Sequence, residues 1–99
     1  MTPQQIIAIV AEEYALTLDE MFSTSHTKLR SRAHGMAAYI LYHHYHLTCA
    51  QISDALHRKS VSQLLPLTRK AIKATSVERN YYLTIMNEIQ HTELTQIQC

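Results

Sequence analysis

The chain has 99 residues, 46% of them hydrophobic, with one Gly and two Pro. That composition suits one small globular domain, excludes a disordered chain, and supplies too few turn residues for an all-β fold. All nine Lys and Arg lie between Lys28 and Arg79, so an overall +1 divides into −4 over 1–27, +7 over 28–79 and −2 over 80–99.

A concentrated positive segment is the usual electrostatic footprint for contacting phosphates. No apolar run approaches the roughly 18 residues needed to span a bilayer, so no membrane partner is expected. The N-terminus also lacks the basic-then-apolar order of a signal peptide. Cys49 and Cys99 stand at no motif spacing and read as reduced, inert thiols, which predicts a cytoplasmic chain.

The expected fold is all-α: a small bundle of five to six helices containing a helix-turn-helix, with an extra C-terminal helix. Thr2 and Gln5 have capping-box spacing with Pro3 just inside, and Ile6, Ile9, Val10 and Tyr14 recur at helical period, so 3–14 reads as an amphipathic helix. Thr17 and Glu20 open a short helix expected to bury Leu18, Met21 and Phe22, followed by a polar loop over 23–27. A long helix over about 28–46 carries Leu29, Ala33, Met36, Ala37, Ile40, Leu41 and His44 on its expected buried side. Gly35 inside it weakens the helix by roughly 1 kcal/mol relative to Ala, and close packing by another helix is the expected reason.

Thr48 and Gln51 start a short helix through Ile52, Ala55 and Leu56, which ends at His57, Arg58 and Lys59. Ser60 and Gln63 then have the spacing to open the next helix, through Leu64, Leu67, Ala71 and Ile72, and two capped helices on a tight turn make a helix-turn-helix. Pro66 either kinks that helix or marks its true start after an irregular turn. Thr75 and Glu78 begin a final helix over 76–98. Its stripe of Tyr82, Ile85, Met86, Ile89 and Ile97 must either fold back on the bundle or pair with a second copy, so a homodimer is one expectation.

Stretches 6–22 and 33–56 resemble the C-terminal DNA-binding domain of the bacterial chromosomal replication initiator DnaA. The likeness runs without a gap over about 6–70. It rests on the Ile-Val-Ala-Glu opening, on Ala33, Met36, Ala37 and Tyr39, and on Leu47, Thr48, Ile52, Ala55 and Leu56. It implies a Trp-repressor-like helix-turn-helix core over 6–74 within one domain of 1–99, binding double-stranded DNA. The family's loop run of Arg-Lys-Arg falls on His26, Thr27 and Lys28, and its minor-groove Arg falls on His34. Its turn signature falls on the residues from His57 to Leu64, where basic Lys59 and the hydroxyl of Ser62 persist and Val61 replaces a base-reading His.

Lys28, Arg30, Arg32, Arg58, Lys59 and Arg69 are thus expected to grip phosphates, with His34 facing the minor groove and Ser60, Ser62 and Gln63 presented to bases. The function expected is a regulatory or mobile-element DNA-binding protein that grips more than it reads. The alternative is a degenerate module of the same kind that serves protein–protein interaction or dimerisation. His43 and His46 share a helix face but lack further ligands, so no metal is expected. The six Tyr read as core-edge residues. No catalytic arrangement or Gly-rich phosphate loop stands in the sequence, so neither an enzyme, a cofactor nor a small-molecule substrate is expected.

Overall fold

A computed structural model describes residues 2–22, 28–58 and 61–98, with side chains described as far as Thr92. The 23–27 loop, including His26 and Thr27, lies outside the described residues, as do Lys59, Ser60 and the side chain of Ile97. Among the described residues there are six helices and no strand: α1 (Pro3–Glu13), α2 (Leu18–Phe22), α3 (Lys28–Tyr45), α4 (Cys49–Leu56), α5 (Leu64–Ala74) and α6 (Ser76–Gln98).

Three predicted capping boxes form. The Thr2 hydroxyl accepts from the Gln5 N–H at 3.3 Å while Gln5 Oε1 accepts from the Thr2 N–H at 2.8 Å. The same exchange joins Thr17 to Glu20 at 3.0 and 3.1 Å and Thr48 to Gln51 at 2.9 and 3.2 Å. Each satisfies donors that a helix start leaves orphaned. The Thr75 box is only half made: its hydroxyl accepts from the Glu78 N–H at 3.3 Å, but the Glu78 carboxylate turns inward.

The box expected at Ser60 does not open α5, which starts at Leu64 after a Gln63 that makes no side-chain cap. Pro66 therefore sits in the first turn, where its missing N–H would have had no partner, and this removes the reason for a kink. The segment 57–63 is longer than the tight turn expected. Helices α1 and α4 end on Ala15 (φ 57°) and His57 (φ 54°) in the left-handed region. At both ends two N–H groups fold back on the last carbonyls: Ala15 to Glu12 and Leu16 to Ala11, His57 to Asp54 and Arg58 to Ser53.

Helix α3 is the central element, packing on α1, α2, α4 and α5, while α6 packs on α1 and α5. A Cβ on Gly35 would overlap Thr68 Oγ1 and lie 3.7 Å from Thr68 Cβ and 3.9 Å from Leu64 Cβ, so its bare Cα is what lets α5 close onto α3. Ile6, Ile7, Val10, Met36, Ile40, Leu41, Ile52 and Leu56 fill the core between them. Ile85 and Ile89 are buried in the same core and Tyr82 and Met86 pack against it, so the final helix folds this part of its stripe back on its own bundle.

Three expected core positions lie elsewhere. Leu18 is exposed because five-residue α2 turns only Met21 fully inward. Leu29 is exposed at the first turn of α3. His44 stays at the surface, where its Nε2 bonds the Tyr82 hydroxyl at 2.6 Å. No helix among the described residues is long and apolar enough to cross a membrane.

Candidate nucleic-acid interface

The basic residues at the start of α3 part company by helical face. Lys28 points to solvent. Arg30 is buried, its Nε donating to the Met21 carbonyl at 3.3 Å. His34 is fully buried and bonds the same carbonyl through Nε2 at 2.6 Å. A carbonyl only accepts, so Nε2 carries the proton, and Nδ1 is free to accept from Arg58 Nη1 at 3.2 Å. The imidazole is therefore neutral. Burial pushes its pKa down to about 4, the Met21 bond opposes this, and the Arg30 and Arg58 charges reinforce it.

Arg32 faces another way. Its Nε donates to Glu78 Oε1 at 2.7 Å, its Nη2 pairs with the same oxygen, and the guanidinium lies 5.6 and 5.8 Å from the ring centroids of Tyr14 and Tyr81. The Tyr14 hydroxyl donates to Glu78 Oε2 at 2.8 Å, and its ring stacks on Tyr81 at 4.4 Å. Burial and the Glu78 carboxylate together drive the Tyr14 hydroxyl far above its ordinary pKa. This network ties α1, α3 and α6 together and matches the charge of Arg32 internally.

The expectation that Arg30 and His34 face DNA is thus corrected, since both are buried under α2, while Arg32 stays exposed but is paired with the buried Glu78 carboxylate. One signal for His34 was available. It shares a stripe with Ala37, Ala38 and Leu41 at the spacing of one helix face, and all three are buried. No spacing signal exists for the Arg32 partner, which lies 46 residues away.

Helix α5 carries the open positive face. Thr68 is buried and Leu65 and Ile72 are half-buried on its inner side, while Pro66, Arg69, Lys70 and Lys73 are exposed on the outer one. These outward positions follow the i, i+3, i+4, i+7 spacing of a single helix face. No acid occurs in α5. Arg79 is exposed and donates to the Lys73 carbonyl at 2.9 Å, which sets a fourth cation at the negative end of the helix dipole.

Arg69 stood among the expected contacts, and Lys70 and Lys73 beside it are cations of the same helix that the sequence also offers to phosphates; Arg79 was not expected. Ser62 and Gln63 are exposed immediately before α5. Val61 is fully buried, its carbonyl accepting from the Leu64 N–H at 3.0 Å, so the position aligned with a base-reading residue belongs to the core here. Arg58 is half-buried, held by His34 at the end of α4.

Elsewhere, His43 packs on the rings of Tyr39 and Tyr42 at 4.5 and 5.1 Å. Among the described residues no three His, Cys, Asp or Glu are grouped to hold a metal ion. Cys49 is a half-buried thiol. Compared with known proteins, the chain matches no family model, no curated protein and no solved structure.

Proposed function

We propose that this chain binds double-stranded DNA, with α4, the 57–63 segment and α5 acting as a helix-turn-helix of the initiator-like kind and α5 lying against the duplex. The observation that carries the reading is the outer face of α5: Arg69, Lys70 and Lys73 exposed together on a helix without an acid, extended by Arg79 at its end. Phosphates are gripped by such cations irrespective of sequence. Ser62 and Gln63 stand where side chains precede the helix, and Gln63 is the one group there able to bond adenine through two atoms. With Val61 in the core and His34 buried, base-reading capacity is small, so binding is dominated by charge.

The alternative role, protein binding through the final helix, draws less support because Ile85 and Ile89 are covered by the chain itself.

Anisotropy of a labelled mixed-sequence duplex tests the reading. Four neutralised phosphates predict binding at about 50 mM salt that weakens roughly a hundredfold by about 200 mM. Absence of binding at the lower salt refutes it.

A further inference from the structure

Beside the cationic face, an open groove of about 510 Å³ runs between the start of α3, the middle of α5 and the start of α6. Leu64, Leu67 and Ala71 wall it from α5 and Val77 from α6. Leu67 and Val77 are 63% and 56% exposed. A single exposed apolar side chain needs no explanation, but two facing one concave surface mark an interaction site.

Arg32 and Glu78 both line the groove and pair with each other, so the net positive charge on this side comes from exposed Lys28, one turn before Arg32 on the same face of α3. On the other edge, Leu67 also borders the hollow lined by Lys70 and Lys73, so it forms the ridge between the groove and the cationic face.

We propose that this groove docks an acidic amphipathic helix of a partner protein, its apolar side chains against Leu67 and Val77 and its carboxylates over Lys28 and Lys70. Helix-in-groove recognition places two or three apolar anchors at i, i+4 and i+7, and the volume lies within the roughly 300–1,000 Å³ of ordinary ligand pockets. Nucleic acid does not suit these walls, because its backbone and base edges present polar groups. A second copy related by a two-fold axis would set the same cations against one another. The site shares Lys70 with the proposed DNA face, but its apolar walls, Leu67 and Val77, are no part of that face, so the L67E result is independent of DNA binding.

The probe is a synthetic helical peptide with Leu at i, i+4 and i+7 and Glu on both flanks, titrated calorimetrically into the full chain beside a matched Lys-flanked peptide. The acidic peptide is expected to bind in the micromolar range, about tenfold more tightly than its counterpart. L67E is expected to weaken it at least about tenfold, and K70E to narrow the gap between the two peptides. Both positions are exposed, so circular dichroism should match the parent chain. No binding of the acidic peptide up to about 1 mM, equal affinity for both peptides, or an L67E chain that binds like the parent each overturns the proposal. A dimer in sedimentation that L67E dissolves also overturns it, because a second copy would then fill the groove.

Discussion

Acidification should destabilise this bundle through His34. Unfolded, the imidazole titrates near 6.5; folded, it titrates at about 4. Between those values the unfolded chain binds more protons, so stability rises with pH there and is lost as pH falls. The interval limits the loss to about 3 kcal/mol, of which about 2 kcal/mol is gone by about pH 5. That is a large share of the stability of a small domain. The structural cause is specific: a protonated ring would be a buried cation between Arg30 and Arg58, and its Nδ1 could no longer accept from Arg58.

Urea unfolding followed by circular dichroism between about pH 8 and pH 5 measures the slope. H34Q supplies the comparison, since Gln can donate to the Met21 carbonyl without titrating. The parent chain should lose about 2 kcal/mol more than H34Q over that range, while surface carboxylates contribute equally to both. Equal slopes, or an NMR titration placing the folded imidazole near 6.5, refute the reasoning.

Three other substitutions probe the frame. G35A should destabilise by about 1–2 kcal/mol in urea melts despite the better helix propensity of Ala, because the new methyl meets Thr68, and adding T68A should recover part of the loss. A15G should stabilise by about 1 kcal/mol, since exposed Ala15 holds a left-handed φ at a helix end. E78A should cost about 2 kcal/mol, chiefly by leaving the buried Tyr14 hydroxyl without its acceptor, and E78Q, which keeps an acceptor oxygen, should cost less. Thermal unfolding of the pair orders them.

What is legible in the sequence is what is local. Reciprocal caps at Thr2, Thr17 and Thr48 depend on three-residue spacings, and the stripes of α1 and α6 follow from period alone. Gly35 also reads correctly, because a glycine inside a strong helix has few other reasons to be there. The start of α5 reads only in part: Ser60 and Gln63 imitate a capping box, while the alternative, a start at Pro66 after an irregular turn, falls two residues from the observed start at Leu64. The proposed phosphate-gripping set is half legible. Charge can be counted, but whether a cation meets solvent depends on partners far along the chain, as with Arg32 and Glu78. Arg69, Lys70 and Lys73 share one helix in the sequence and are exposed together on it, and Arg79 joins them only once α6 is placed.

On the proposed function, the outer face of α5 grips DNA phosphates. The most direct measurement is the salt dependence of duplex binding for the parent chain and for R69A/K70A/K73A, three exposed positions whose loss should leave the fold intact. Each neutralised phosphate contributes about −0.9 to the slope of log affinity against log salt, so the triple variant should bind more weakly and with a slope shallower by about 2.7. A variant that binds with the parent's affinity and slope would place the DNA contact elsewhere than the outer face of α5.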